Sequence, residues 1–391
     1  MISFDEAYRT ALGTARVLGE EAVPFAQSLG RVLAQDVLAD APMPPFDKAM
    51  VDGYACRRAD LGGAMRVVDT VAAGHAPAKA VGAGESAKIM TGAMLPSGAD
   101  CVFMVEHSRA EGGAVHFTGR DTGDNIARTG RDYRAGDLLV KRGSRIHPPE
   151  IAILAAVGCV VPRVYRRPRV AVLATGDELV EADRTPNEWQ IRNSNAPQLI
   201  AQVSRLGIAA DYIGVAHDNE ASVEESLARA EGCDVLLISG GVSMGDFDLV
   251  PGGLRKRGFE IRFDRVAVQP GKPTTFAVSE RGFCFGLPGN PVSSFVIFEL
   301  LVRPFLFALM GHDYRPTTAR LPLGEAFTRK SGARQAWVPV SLRADGHIAK
   351  MAYHGSSHIS ALSGADGLIA FPEGATELPA GAMVDVRLIR S

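Results

Sequence analysis

Asp234-Val-Leu-Leu-Ile-Ser-Gly-Gly-Val-Ser-Met-Gly-Asp-Phe-Asp248 is the stretch on which the fold turns. The apolar run over 234–239 reads as a buried strand. It ends in Gly240-Gly241, followed by a hydroxyl at Ser243, a further glycine at Gly245, and carboxylates at Asp246 and Asp248. Glycines let backbone N–H groups close around an anion, and the start of a following helix adds positive dipole. Carboxylates beside such a cradle repel a bare phosphate, so their presence points to a bridging divalent cation. The stretch therefore predicts a metal-assisted phosphate site at the end of a strand.

Strand and helix alternate on both sides of it. Strands are expected at 170–174, 208–215 and 283–287, and helices at 195–206, 221–230, 248–257 and 292–309. Alternation of this kind predicts an α/β domain over 166–312, with a doubly wound parallel sheet. Ligands on such sheets sit beyond the carboxyl ends of the strands. Upstream, Ser3 and Glu6 form a capping box before an amphipathic helix expected to reach about Leu18. Pro148-Pro149 and Gly158 bracket a second short helix. A helical region over 1–45 and 140–165 follows, flanking a glycine-rich β domain at 46–139. Beyond residue 312 the alternation has period two, and Asp345-Gly346 and Asp366-Gly367 supply turns. A small β-barrel or sandwich is expected over 313–391.

The chain of 391 residues is 46% apolar and 22% charged, with a net charge of -2, so it offers no basic footprint for nucleic acid. Five scattered cysteines without a C-x-x-C pair suit a reduced, cytoplasmic protein. The first residues lack the basic and apolar regions of a signal peptide. The most apolar stretch, Val292 to Met310, carries Ser293, Ser294, Glu299, Arg303 and Pro304, which predicts a buried helix and no membrane span.

Four strand ends of the α/β region carry chemical equipment: Thr175-Gly-Asp-Glu178, Gly240 to Asp248, Gln269-Pro-Gly-Lys-Pro273 and Leu287-Pro-Gly-Asn-Pro291. In the last, Asn290 is expected to N-cap a helix that has Pro291 at its first position. Any one of these is ordinary turn chemistry. Four on one sheet edge, with Glu178, Asp246, Asp248 and Lys272 among them, are not. Asp52-Gly53 reads by itself as a hairpin turn. His354 and His358 are separated by Gly355, which argues against one helical face holding both for a metal. Ser356 lacks a His/Asp partner in sequence.

These segments together resemble the molybdopterin molybdenumtransferase family (MoeA), bacterial relatives of the gephyrin E domain. The matching pieces span nearly the whole chain: Leu29-Gly-Arg-Val-Leu-Ala34, Val51-Asp-Gly-Tyr-Ala55, Ile89-Met-Thr-Gly-Ala93, Pro96-Ser-Gly-Ala-Asp100, Gly123-Asp-Asn-Ile126, Gly130-Arg-Asp132, Thr175-Gly-Asp-Glu-Leu179, Gly240 to Asp248, Pro270-Gly-Lys-Pro273, Leu287-Pro-Gly-Asn-Pro-Val292 and Gly355-Ser356.

The resemblance implies a multidomain α/β protein whose central domain is MogA-like, in an elongated homodimer of four-domain subunits. The helical region would be the dimerisation domain. The implied reaction is the last general step of molybdenum cofactor synthesis: adenylylated molybdopterin and molybdate react, AMP leaves, and molybdenum ends on the dithiolene sulfurs, with magnesium as the cation. Gly240, Gly241, Ser243 and Gly245 would cradle the pterin's terminal phosphate. Glu178 and Asp248 would hold the cation or polarise water. Lys272, Arg265 and Ser356 would hold oxyanions, and Pro288 and Pro291 would shape the pocket. Asp218 would belong to the same site, and Asp52, Thr91 and Asp132 to the opposing subunit's side of it. The family pattern commonly has serine where Ala49 stands and, in some members, lysine where Gln269 stands. Arg265 would replace an upstream lysine, keeping the charge and changing the geometry. Two other readings accompany this one, a molybdopterin adenylyltransferase and a gephyrin-like scaffold. The adenylyltransferase is also a prospective partner, and has little beyond the α/β module, whereas about half of this chain lies outside it.

Overall fold

The computed structural model describes residues 1–241 and 249–390. At its centre lies a six-stranded sheet ordered Ala210–Ala216, Val170–Thr175, Val235–Ser239, Phe283–Leu287, Thr275–Val278, Glu260–Phe263. Its first four strands are parallel. They read as continuous apolar runs because both faces are covered. Ala171 and Leu173 pack on Val223, Leu227 and Leu254, from helices Glu220–Arg229 and Leu249–Lys256. Val170 and Val172 face the other way, onto Leu199, Val203 and Phe305.

The sheet departs from the all-parallel expectation at Thr275–Val278, which runs antiparallel to both neighbours. This strand and Glu260–Phe263 have four residues each, too few for periodicity to expose. The reversal puts the start of Thr275–Val278 and the end of Glu260–Phe263 at the carboxyl edge of the parallel strands. Residues 264–274 therefore join that edge.

Helix Pro291–Leu309 is long and apolar enough to cross a membrane, but 89% of its most apolar window is buried inside the protein. It is a core helix. Its middle, Phe298–Val302, is π-helical, and there Glu299 pairs with Arg303 at 2.9 Å and accepts from Gln202 at 3.0 Å.

The first helix, Phe4–Thr14, begins as expected, with Ser3 Oγ accepting from the Glu6 N–H. It stops four residues short of Leu18. Gly13 weakens the last turn, and the Thr14 hydroxyl donates to the Ala11 carbonyl. Ala7 and Ala11 pack into the α/β core. The region expected to be helical is otherwise mostly turns and short strands. Glu20–Ala22 pairs with Arg163–Tyr165, and Val37–Leu38 with Leu138–Val140; its other α-helix is Pro148–Ala156. Pro24, Pro42, Pro44 and Pro45 account for the loss of helix.

The glycine-rich region forms a sheet ordered Cys101–Met104, Gly53–Cys56, Glu85–Ile89, Ala64–Val71, Ala114–Phe117, Ser108–Glu111. Asp52-Gly53 is not a hairpin turn. Gly53 opens a strand paired on both sides, and a Cβ there would collide with the Phe103 carbonyl. Asp366-Gly367 is likewise no turn: Gly367 opens Gly367–Phe371, pressed against Val386 and Arg387.

In the C-terminal region, Gln335–Leu342, Gly367–Phe371, Met383–Leu388 and Thr318–Pro322 form a consecutive sheet. Ile348–Lys350 pairs with the free side of Gln335–Leu342, and one parallel bridge, Leu323 to Ile348, links the two ends into a ring. Val268–Gln269, from the loop after Glu260–Phe263, adds to this sheet and ties it to the α/β domain.

Candidate functional site

A cavity of about 680 Å³ opens at the carboxyl edge of the parallel strands. The turn after each strand supplies part of its wall. Gly176 and Glu178 come from the turn beyond Val170–Thr175, and Asp218 from the one beyond Ala210–Ala216. Val235–Ser239 leads into Gly240 and Gly241, and Phe283–Leu287 into Gly289, Asn290 and Pro291. Ser357 and Ile359, from the C-terminal part of the chain, close one side.

The glycine pair is dictated by space and torsion. Gly240 has φ +89°, and a Cβ would stand 2.6 Å from the Thr175 carbonyl. Gly241 has φ +58°, and its Cβ would strike the Thr175 hydroxyl. Side chains at both positions would face a positive φ and a steric clash together.

Asp177 organises the neighbouring turn. Its carboxylate accepts from the Asp218 N–H at 3.1 Å and lies 3.1 Å from His217 Nδ1. Asp218 is thereby set in the wall of the same cavity as Glu178. Both carboxylates line the cavity, and neither is hydrogen-bonded or ion-paired through its side chain to a described residue. They are oxygen donors of the kind that magnesium takes. Among the described residues no three His, Cys, Asp or Glu side chains gather as a ligand set. Ser243, Gly245, Asp246 and Asp248 lie outside the described residues.

Several expected residues stand back from the cavity wall. Pro288 is buried, and Ser356 offers its carbonyl to the Val292 N–H at 3.0 Å while its neighbour Ser357 lines the wall. Lys272 is exposed and precedes the reversed strand, two strands from Val235–Ser239, which is about 10 Å across the sheet. Arg265 lies beyond Glu260–Phe263, one strand further out. Both share the edge without lining the cavity. Asn290 occupies the N-cap position as expected, but its side chain makes no cap hydrogen bond, so only half of that expectation holds.

Asp52, Thr91 and Asp132 belong to the glycine-rich region, and none lines the cavity. Asp52 accepts from the Thr91 N–H at 2.6 Å and its hydroxyl at 2.8 Å. These bonds, the N–H first, hold the Asp52 carboxyl below its ordinary range. Asp132 lies on an adjoining loop, where its N–H donates to the Met43 carbonyl at 2.9 Å.

Sequence reasoning missed Asn193 and Asn195. Asn195 Nδ2 donates to Ser239 Oγ and to the Gly289 carbonyl, both at 2.7 Å, tying two strand ends together. Asn193 donates to the Tyr212 hydroxyl at 2.9 Å, which donates to Glu181 at 2.8 Å. The signal was the polar run Arg192-Asn-Ser-Asn195 directly before a helix. His354 and His358 stack face to face, with ring centres 4.6 Å apart and planes 4° from parallel, a geometry that does not converge two ring nitrogens on a metal.

A second crevice of similar volume lies at the opposite edge of the sheet, lined by Cys233, Arg281 and Phe283. Its glycines and glutamates, Gly232 and Gly258 with Glu231 and Glu280, lie at the amino-terminal edge of the parallel strands, away from the strand-end turns that line the first cavity.

Comparison with known proteins covers nearly the whole chain. The MoeA N-terminal region (domain I and II) matches residues 2–158, a probable molybdopterin binding domain matches 171–308, and the MoeA C-terminal region (domain IV) matches 320–389. The chain is 35% identical to the molybdopterin molybdenumtransferase of Staphylococcus epidermidis, over 93% of this chain and 90% of that protein. It is 34% identical to the protein of the same name from Bacillus subtilis, over 100% and 94% of the two chains. A crystal structure of a molybdopterin biosynthesis MoeA protein from Pyrococcus horikoshii superposes over the full length of both chains, with a TM-score of 0.82 at 31% identity.

Proposed function

This chain belongs to the molybdopterin molybdenumtransferase family, and from that premise we propose that it moves molybdenum from molybdate onto adenylylated molybdopterin, releasing AMP, with magnesium present. The observation that carries the proposal is the carboxyl-edge cavity, lined by Gly240 and Gly241 together with two carboxylates, Glu178 and Asp218, that have no side-chain partner among the described residues.

The arrangement supports a definite chemistry. Gly240 and Gly241, with the Ser243–Gly245 segment after them, receive the terminal phosphate of the pterin. Glu178 and Asp218 orient a water at the phosphoanhydride and accept its proton. One phosphorus–oxygen bond forms to that water, the anhydride bond breaks, and AMP departs. Positioning and charge supply most of the acceleration in such a displacement. Magnesium, held by Glu178 and Asp248, would neutralise phosphate charge. Lys272 and Arg265 guard the same edge and suit molybdate, a tetrahedral oxyanion and the second substrate.

The working form in this proposal is a homodimer. Leu29, Leu38, Leu138, Val160 and Val161 expose 45–55% of their surface within the region of short strands, apolar side chains that a second copy would cover. Asp52, Thr91 and Asp132 would then face the cavity of the partner. The substrate would come from a molybdopterin adenylyltransferase. A cytoplasmic location accords with five cysteines that are all free.

The test is AMP release from adenylylated molybdopterin by the purified protein with magnesium and molybdate. Release that depends on molybdate supports the reading, and no release at any molybdate concentration removes it. ATP consumption with unmodified molybdopterin would reassign the chain as the adenylyltransferase. A deletion strain with fully active molybdenum enzymes would favour the scaffold.

A further inference from the structure

Trp189 exposes 74% of its surface, more than any other large apolar side chain among the described residues. It stands two residues before Ile191 and three before Arg192, both of which line the cavity. Burial does not explain its place, yet the backbone around it is held. The Trp189 N–H donates to Asn187 Oδ1 at 3.2 Å, and the Gln190 N–H to the Asn187 carbonyl at 3.2 Å. The far end is pinned by the Ile191 N–H, which donates to the Glu178 carbonyl at 2.7 Å. Arg192 Nε reaches back to the Arg184 carbonyl at 3.0 Å and closes the loop, while its guanidinium meets no carboxylate among the described residues. Tyr212 fixes Glu181 at the start of the same loop.

An indole on a tethered loop costs exposed apolar surface unless a flat partner covers it. A cation left without a carboxylate, three residues away and on the cavity wall, suits a phosphate. We infer that Trp189 and Arg192 form a ring-binding platform at the cavity mouth, with Trp189 stacking on a fused nitrogen heterocycle of the substrate and Arg192 holding the phosphate attached to it. This inference rests on the proposed reaction, whose substrate carries two such rings, a purine and a pterin. Trp189 is a binding and positioning residue and transfers no proton.

The experiment monitors tryptophan emission of the full-length protein while AMP is added, and in a second arm a soluble pterin without phosphate. One of the two ligands quenches wild-type emission saturably and leaves the emission of Trp189→Phe unchanged. Trp189→Ala weakens that ligand about tenfold, on the scale of one aromatic–base stack. In turnover, Trp189→Ala raises KM for adenylylated molybdopterin by a similar factor with kcat within about twofold, and Trp189→Phe restores most of the loss. A larger loss with AMP assigns the purine to the platform; a larger loss with the pterin assigns the pterin. Unchanged binding of both ligands by Trp189→Ala, or no quenching by either in the wild type, overturns the inference. If wild-type protein releases AMP and Trp189→Ala matches it, only the platform falls. If the wild type releases no AMP, the proposed reaction falls, and the two binding arms still decide the platform.

Discussion

The carboxyl edge of the central sheet and the Asp52 cluster of the glycine-rich region both present carboxylates, but in opposite states. At the sheet edge, Glu178 and Asp218 line a cavity with no side-chain partner among the described residues. In the glycine-rich region, Asp52 already accepts two hydrogen bonds from Thr91. The first arrangement leaves charge available to a ligand. The second stores a charge whose position is fixed beforehand. A free carboxylate is suited to meeting a cation or a water, whereas a pre-paired one is suited to presenting a rigid negative edge. In the proposed dimer the two regions would be complementary parts of one apparatus, the free carboxylates of one subunit meeting the pre-paired carboxylate of the other.

The largest expected effect breaks the sheet edge itself. Gly241→Val adds a branched side chain at φ +58° against the Thr175 hydroxyl. AMP release should fall at least about a thousandfold through the displaced phosphate cradle, while circular dichroism still reports a folded chain. Near-normal release would show that the cradle lies elsewhere. Glu178→Gln comes next. It removes charge and keeps shape, so AMP release should slow about a hundredfold, with binding of adenylylated molybdopterin changed little. A variant as fast as wild type would separate Glu178 from the chemistry.

Asp52→Asn should be milder, about tenfold in AMP release, because Thr91 can still bond the amide oxygen. The lowered pKa of Asp52 gives this position a pH signature. Its carboxylate stays charged below 3.8, the value of an unperturbed aspartate, so acid inactivation above that pH must come from other groups.

The smallest effect on catalysis belongs to Asp234, at the opposite end of the Val235–Ser239 strand. Burial pushes its carboxyl up, but Arg166, at 2.8 and 3.0 Å, and the Arg169 N–H outweigh that and lower it. Asp234→Asn should cost about 1–3 kcal/mol of stability at neutral pH and leave kcat alone. A group with a lowered folded pKa stabilises above its unfolded value, and that contribution is lost as pH falls. The gap between wild type and Asp234→Asn in denaturant melts should therefore close as pH drops below 3.8. A gap independent of pH would contradict the ion pair.

The strands of the parallel sheet were legible because burial on both faces leaves runs such as Val235–Ser239 with no polar interruption before Ser239. The convergence of strand-end motifs was legible too, since topology alone brings such ends to one edge. Glu260–Phe263 and Thr275–Val278 escaped because each is short and the first carries two charges. Asp52-Gly53 and Asp366-Gly367 misled for another reason. Their glycines serve close packing against Phe103 and Val386, contacts between residues far apart in sequence. Asn195 was invisible in the same way, as its value comes from bonding Ser239 and Gly289 at once.

The complementarity of the two regions is tested most directly by subunit complementation. Glu178→Gln and Asp52→Asn chains, each with its own tag, are co-expressed, and the mixed dimers are purified and assayed for AMP release. If one subunit's sheet edge works with the other's Asp52 cluster, each mixed dimer holds one wild-type site and one doubly altered site. Release should then recover to about half of the wild-type rate per dimer. Activity no higher than that of the better single variant would place both residues in one chain's own site and contradict the account.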